Sequence, residues 1–583
     1  MRRNKKKITS VSQNPLKAKL IFVSILFVLF GGGIVWKLFF LQIIKHEDLS
    51  SRSKQQHQRI ININYGRGLI FDRNMNELAS NIEAESVYAT PREIKNKKKT
   101  SLILAKALNL NTSKIHKKVS SKRSFVWIKR KASPDQIIKL KKASLSGINF
   151  VIENKRFFPK RELASGIIGF TGIDNQGLAG IEYQYDKDLK GTVVKTVLRK
   201  DAHGKLVQFN GQANGRSGDK NNLSMVLAID EVIQFFAEHH LAKQVKKLQA
   251  KAGVAIVMNP STGEVYAIAN VPQFNPNNYS AYDSRMWINR AVSRVYEPGS
   301  IFKAILAAAA IDSGAARPQD IFFCENGTFT IRGKNIGEAA NHKFGWLTMR
   351  DIISKSSNIG SIKIAQKLGK QSFYDYIRKF GFGQKTGVSL PGETTGRFKS
   401  LNAWDESSLA SISFGHEIST TPLQMITAIS AIANGGTLMT PRISRAIIKN
   451  GNVSKQFNPK AIRRVISTRT SKQVVDILKN AVKNGTGGKA AIKGYEVAGK
   501  TGTAQKYDPS IKSYSNTAYV SSFIGFAPAD AAKIAILVMI DEPKGIHWGG
   551  SVAAPVFSNI ARETLHYLNV PSNDQRVYIL DRA

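Results

Sequence analysis

The 583-residue chain has a single cysteine, Cys324. No internal disulfide can therefore form, and Cys324 is expected to serve as a small buried apolar side chain. Acidic residues are also scarce: 41 Asp and Glu stand against 86 Lys and Arg, a formal charge of +45. Such a balance suits an acidic partner, whether nucleic acid, anionic lipid or another acidic polymer. Nucleic acid is disfavoured by further absences. There is no zinc-ligand spacing, no RNA-recognition motif and little interleaving of aromatic with basic residues. Short-period repeats and long linkers are missing too, and the length suits two to four domains.

Long hydrophobic runs are equally rare. The one that stands out covers residues 20–41, preceded by a tail, residues 1–19, with seven cations and no acid. A bilayer core takes about 20 helical residues. A signal peptide would end in a small-x-small site, whereas Trp36-Lys37-Leu38-Phe39-Phe40 is bulky. The expectation is one uncleaved transmembrane helix over 20–44, with residues 1–19 in the cytoplasm and the chain after about residue 45 outside.

Residues 45–225 read as a first extracytoplasmic region. Strand-like runs at 58–64, 68–71, 86–90 and 149–152 alternate with short helices, one of them capped by Ser133-Pro134-Asp135. Lysines crowd this region, the plainest reading being a solvated face, and no set of catalytic motifs gathers in it. From 226 the texture changes. A hairpin joins 252–258 to 264–269, Ala-rich helical sequence fills 300 to about 480, and strands follow at 496–505, 519–526 and 533–539. A helix over about 552–567 closes a domain ending near 570, before a tail at 571–583. The expected class is α+β: an anchor, a mixed α/β pedestal and a mainly antiparallel five-stranded sheet packed with helices.

The chemistry gathers around Glu297-Pro298-Gly299-Ser300-Ile301-Phe302-Lys303, followed by an apolar run at 304–311. Pro and Gly break the chain and Ala and Leu then favour a helix, so Ser300 falls at or beside a helix N-terminus, with Lys303 one turn on. Free N–H groups there favour an oxygen acquiring negative charge, and a neutral lysine could take the proton. Alone the pattern is weak, since Ser51-Arg52-Ser53-Lys54 has the same spacing. Ser356-Ser357-Asn358 lies between helical runs at 348–355 and 359–368, offering a second hydroxyl and an orienting amide. Lys500-Thr501-Gly502-Thr503 opens a strand, where Gly502 is expected to let a ligand backbone approach and Lys500, Thr501 and Thr503 could grip a carboxylate. Two decoys resemble it. Lys385-Thr386-Gly387 sits in a turn with no strand after it. Gly494-Tyr495-Glu496-Val497-Ala498-Gly499-Lys500-Thr501 fits the P-loop letter for letter, but Gly502, Tyr507 and Pro509 spoil the helix a P-loop needs.

In order, S-x-x-K, S-x-N and K-T-G resemble the signature of class A β-lactamases and penicillin-binding proteins. Beyond these motifs the chain resembles the class B penicillin-binding proteins, and among them the division-specific transpeptidase, from the anchor to about residue 567. The shared pieces include Gly66-Arg67-Gly68, Phe71-Asp72-Arg73-Asn74, Gly169-Phe170-Thr171-Gly172, Gly177-Leu178-Ala179-Gly180-Ile181-Glu182, Thr421-Pro422-Leu423-Gln424 and Phe523-Ile524-Gly525-Phe526-Ala527-Pro528. One departure is Asn74-Met75-Asn76, where the family usually has Asn-Gly; it puts one pedestal turn in doubt.

The resemblance implies a serine β-lactamase-like transpeptidase domain on a noncatalytic pedestal, acting on the D-Ala–D-Ala end of peptidoglycan stem peptides during septal wall synthesis and acylated by β-lactams. Ser300 would be the nucleophile and Lys303 its base. Ser356 would relay the proton, Asn358 would orient the group, and Lys500, Thr501 and Thr503 would hold the terminal carboxylate. Backbone N–H groups of Ser300 and Thr503 would form the oxyanion hole. No metal and no cofactor is implied. A polytopic SEDS-type glycan polymerase and other divisome membrane proteins are the expected partners. An elongation-type enzyme is the alternative role. A carboxypeptidase or β-lactamase on the same fold is another, although the E-x-x-L-N run that class A lactamases use for deacylation is missing between Lys303 and Lys500.

Overall fold

A computed structural model describes residues 14–64, 66–191, 193–200, 206–207 and 223–573. Most of the expected basic tail, the end of the expected C-terminal tail and part of the expected pedestal lie outside the described residues. The chain forms two compact units, residues 1–64 with 193–217, and residues 65–192 with 218–583.

In the first unit, the helix Asn14–Phe39 continues through Phe40–Ile44. Lys17–Ile44 is long and apolar enough to cross a membrane, and none of it is buried by protein. The strand Gln58–Asn64 pairs antiparallel with Val193–Lys200, which also carries Leu206–Val207.

The second unit contains the five-stranded sheet. Its order is Val265–Val271, Ala252–Met258, Ile534–Asp541, Ser513–Ala527, Ala498–Asp508, and every pair is antiparallel. The strand pleat sorts side chains between two cores. Ala255, Val257, Ile536, Val538 and Phe523 pack with the helices Glu231–Lys247 and Ala554–Tyr567. Val254, Ile256, Leu537 and Ile524 pack on the opposite face with the helices Lys303–Asp312, Pro422–Ala433 and Thr468–Lys483. Burial on both faces explains why these strands read as continuous apolar runs. Cys324 is buried in the second core, as expected.

The stretch expected to be helical from 300 to 480 is interrupted. Strand pairs form at Ile321–Phe323 with Trp346–Thr348, Thr328–Ile331 with Lys334–Gly337, and Thr437–Met439 with Ala461–Arg464. Strands of three or four residues are too short to show a two-residue period against an Ala-rich background.

A second sheet joins early and late sequence. Its order is Asn452–Gln456, Ser444–Lys449, Leu223–Leu227, Ile70–Phe71, Glu77–Ala89, Val126–Lys129, and Ile148–Phe157 pairs along Glu77–Ala89. Backbone hydrogen bonding thus continues across residue 225. Two sequence pieces quoted above meet here: Arg67 and Arg156, both buried, share the carboxylate of Glu182, with Arg156 Nε 2.6 Å from Oε1. Arg67 also reaches Asp186 at 2.7 Å, so these buried charges are compensated.

The divergent turn is made despite its sequence. Asp72 Oδ1 accepts the N–H groups of Asn74 and Asn76, each at 2.8 Å. Met75 closes the turn at φ 67°, in the left-handed region. That conformation costs a side-chain-bearing residue about 1–2 kcal/mol, and Met75 is exposed, so its side chain returns little packing. Met75→Gly should raise stability by about 1 kcal/mol, read as a higher denaturation midpoint at unchanged m-value.

Candidate active site

Gly299 takes φ +56° and donates its N–H to the Gly415 carbonyl at 3.1 Å. The backbone then makes a 3-10 turn, Gly299–Phe302, before the α-helix Lys303–Asp312 begins. Ser300 therefore lies in the tight turn leading into the helix, half exposed, while Ala304–Ala310 behind it are fully buried. The strand Ala498–Asp508, at the edge of the sheet, presses against this turn. A Cβ on Gly299 would lie 3.1 Å from Ala504 Cβ, and one on Gly502 would lie 3.0 Å from Ile301 Cγ2 and 3.2 Å from the Pro298 carbonyl oxygen. The missing side chain of Gly502 leaves room for the Ser522 hydroxyl and Ile301, a close approach between two parts of this chain.

The third element arrives from a helix junction. Ser356 ends the helix Met349–Lys355 in the left-handed conformation, φ 65°. Ser357 caps the next helix, Asn358–Leu368, its Oγ accepting the Gly360 N–H at 2.9 Å. Capping thus falls to the middle residue of Ser-Ser-Asn and leaves the outer two free for other contacts.

Those two residues meet both lysines. Lys303 Nζ donates to the Ser356 carbonyl at 2.7 Å and to Asn358 Oδ1 at 2.8 Å, with Ser356 Oγ at 3.4 Å. Lys500 Nζ donates to Ser356 Oγ at 3.0 Å and to the Thr501 carbonyl at 3.1 Å. The Thr501 hydroxyl lies 2.6 Å from that of Thr486, and Thr503 Oγ1 accepts the Gly549 N–H at 3.0 Å. As acceptors, the Thr503 hydroxyl and one of the Thr501–Thr486 pair each keep a proton to donate. Lys303, Ser356, Asn358, Lys500 and Thr501 thus form one connected network. Ser300 stands beside it: among the described residues its hydroxyl has no hydrogen-bond partner, and Lys303 points to Ser356 and Asn358. In ligand-free sites such nucleophile–base bonds are commonly long.

Both amines are buried and both titrate low. Burial brings Lys303 down to about 7, against a smaller opposing pull from Glu338. Burial, and then the charge of Lys303, hold Lys500 well below the ordinary lysine range. Two buried ammonium groups linked through one serine hydroxyl resist being charged together. The pocket therefore favours one neutral amine, able to act as a base, beside one cation.

Sequence reasoning misses Glu338. Its carboxylate accepts from the Ser357 hydroxyl, from the Asn358 N–H at 2.6 Å and from the Ile359 N–H at 3.4 Å. A carboxylate at a helix N-terminus is favoured by the free donors and the dipole. It thereby fixes the backbone that carries Asn358. Glu338 stands 20 residues away on an isolated turn, where no spacing rule points to it. Glu338→Ala leaves three donors unpaired and should destabilise the protein by about 1–3 kcal/mol, measured by denaturant titration.

A second missed group flanks the nucleophile turn. Glu297 Oε1 accepts the Glu417 N–H at 3.0 Å and the Tyr514 hydroxyl at 3.2 Å, and burial raises its carboxyl to about 7. His416 Nδ1 lies 3.3 Å from Glu297 Oε2; burial and then the Lys303 charge lower His416 to about 4, so it is neutral. Both decoys resolve as structure. Thr386 gives its N–H and hydroxyl to Glu393 at 2.6 and 2.5 Å within a turn, and Lys500-Thr501 continue a strand instead of opening a helix.

The chain matches two protein-family profiles. The penicillin-binding protein transpeptidase domain covers residues 253–562, and the penicillin-binding protein dimerisation domain covers residues 62–223. It is similar to stage V sporulation protein D of Bacillus subtilis, at 36% identity over 97% of this chain and 88% of that protein. The peptidoglycan D,D-transpeptidase FtsI of Escherichia coli K12 is 31% identical over 94% of this chain and 93% of that one. Among solved structures, penicillin-binding protein 3 of Mycobacterium tuberculosis complexed with aztreonam superposes with a TM-score of 0.68 at 29% identity, covering 88% of this chain and 98% of that one.

Proposed function

Because the chain belongs to the class B penicillin-binding proteins, with their transpeptidase and dimerisation domains, we propose that this peptidoglycan D,D-transpeptidase works through Ser300. Ser300 Oγ attacks the penultimate D-Ala carbonyl of a stem peptide while its proton passes to neutral Lys303. The tetrahedral oxyanion is held by the N–H groups of Ser300 and Thr503. Lys500, Thr501 and Thr503 hold the terminal carboxylate. Its negative charge favours the protonated form of Lys500, which leaves Lys303 as the amine that stays neutral. The C–N bond then breaks. Ser356 gives a proton to the departing D-Ala amine and is resupplied by Lys303. The amine of a neighbouring stem enters along the same route in reverse, losing its proton to Ser356 as the acyl group leaves Ser300. The broken peptide bond drives the exchange, so no nucleotide is consumed.

The observation that carries this reading is Ser356 Oγ, 3.4 Å from one buried lysine and 3.0 Å from the other. The test uses the purified full-length chain with a pentapeptide donor and an amine acceptor, following D-Ala release and cross-linked product by mass spectrometry. Aminolysis product supports a transpeptidase. Release of D-Ala with hydrolysed product only, or rapid turnover of penicillin, would point to a hydrolase on this fold.

The finer role proposed is septal, resting on the Gly169–Glu182 pieces and the FtsI likeness. On this reading the Lys17–Ile44 helix is a single-pass anchor, the catalytic domain faces the extracytoplasmic space, and a polytopic SEDS-type glycan polymerase pairs with anchor and pedestal. The 36% identity to the sporulation protein favours a second reading, spore-wall synthesis. Depletion separates them: filamentation of growing cells supports the septal role, and a defect confined to spores supports the other.

A further inference from the structure

Residues 91–147 hold 17 Lys and Arg against Glu93 and Asp135, a net +15 of the chain's +45. The transpeptidase chemistry above uses none of them. The helices Lys97–Leu108, Thr112–Val119 and Pro134–Ala143 close over a core of their own, which includes Leu104, Leu108, Ile115, Val119, Ile128 and Ile137. That core is separate from the one under the active site, so the lobe is packed around its own centre.

Arg130, just after the strand Val126–Lys129, is paired with Glu153 and Asp174, but the charge on the helices is largely exposed and unpaired. Lys97, Lys98, Lys99, Lys117, Lys139 and Lys142 are all exposed. Among the described residues, Lys141 is the one cation of the three helices paired with an acid, Glu85 at 2.7 Å. The charge also points several ways. Successive helical residues are rotated by about 100°, so Lys97, Lys98 and Lys99 fan around their helix. A surface this crowded with like charge holds small counterions, and a polyanion that displaces them gains their release.

We propose that this lobe docks a flexible, phosphodiester-linked polyanion running along its helices. A flat anionic bilayer could neutralise one side of the lobe only. Insertion would also need a broad apolar face, whereas the lobe's exposed large apolar residues are Leu102, Leu110 and Ile138 alone among the described residues. Single-stranded nucleic acid would need free stacking surfaces. Phe125 and Trp127, however, are engaged with each other at 4.8 Å and Phe125 with Tyr88 at 4.7 Å. Lysines outnumber arginines in the lobe, which suits repeated point charges better than a forked, geometry-specific contact.

The test reconstitutes the full chain in uncharged phosphatidylcholine nanodiscs and titrates poly(glycerol phosphate) at about 50 and 200 mM salt. K97Q/K98Q/K117Q/K139Q/K142Q is compared with a control of equal charge change, K370Q/K449Q/K460Q/K472Q/K493Q, whose lysines are exposed elsewhere. The expected result is a loss of at least about tenfold in affinity and a shallower salt dependence for the lobe variant, against less than about twofold for the control. Melting temperatures confirm that both variants are folded. Equal losses in both variants would overturn the proposal, because net charge alone would then explain binding. So would wild-type protein that captures phosphatidylglycerol vesicles but fails to bind the polymer.

Discussion

Ser300→Ala should abolish covalent labelling by a fluorescent penicillin, with the rate falling by at least about 10⁴ and no adduct by mass spectrometry. The size of the effect follows from the chemistry. Ser300 is the hydroxyl in the 3-10 turn that leads directly into the buried helix Lys303–Asp312. Ser356 is engaged by Lys500 at 3.0 Å, with Lys303 at 3.4 Å, and is only 9% exposed, so it cannot replace the nucleophile. The fold should survive, because the Ser300 hydroxyl supports nothing around it and alanine suits the turn. Denaturation midpoints should agree with wild type within about 0.5 kcal/mol. A labelled Ser300→Ala protein would remove Ser300 from the mechanism. An unfolded one would be recognised by its midpoint and replaced by Ser300→Cys, whose thiolate should retain slow acylation. Noncovalent retention of penicillin by Ser300→Ala would separate the carboxylate-gripping residues from the nucleophile, since Lys500, Thr501 and Thr503 stay in place.

Much of the site is legible in sequence because each motif also does a local backbone job. Pro298 and Gly299 break the chain where the 3-10 turn forms, Ser357 caps a helix, and Lys500 to Thr503 lie on a strand of the sheet. Local jobs leave local patterns. Glu338 does not, because it acts through space on donors 19 to 21 residues away. Thr486 and His416 are invisible for the same reason. Gly502 shows the converse problem: its type is readable but its neighbour is not, and the space it leaves is filled by Ile301 and Ser522. The five-stranded sheet is readable through its long apolar strands. The sheet that joins Ile70–Phe71 and Leu223–Leu227 to Ser444–Lys449 is not, since its pairing joins residues far apart in the chain and Ile70–Phe71 is only two residues long.

Lys303→Arg should lower acylation by at least about 10³ and remove the pH dependence that Lys303 gives the wild type. With Lys303 at about 7, the wild-type rate should climb about tenfold per unit as pH rises toward 7 and then level off. A guanidinium stays protonated throughout this range, so the variant has no neutral form to act as base. The same titration leaves a mark on stability that a purely structural lysine would not. The folded value, about 7, lies below the ordinary 10.5 of an exposed lysine. Between those limits the unfolded chain binds the proton that the folded chain has released, so stability rises with pH. This group's contribution is fully present above about 10.5 and lost as pH falls to about 7. Its slope approaches about 1.4 kcal/mol per pH unit within the window. Lys500 is lowered as well and adds to the slope in the same direction. In Lys303→Arg the slope should shrink toward what Lys500 alone supplies, because arginine does not titrate there. Kinetics and denaturation thus interrogate one proton by two routes. A flat wild-type rate profile across pH 6–8 would show that Lys303 is not the base. A stability slope unchanged in Lys303→Arg would show that its amine is not held neutral in the folded protein.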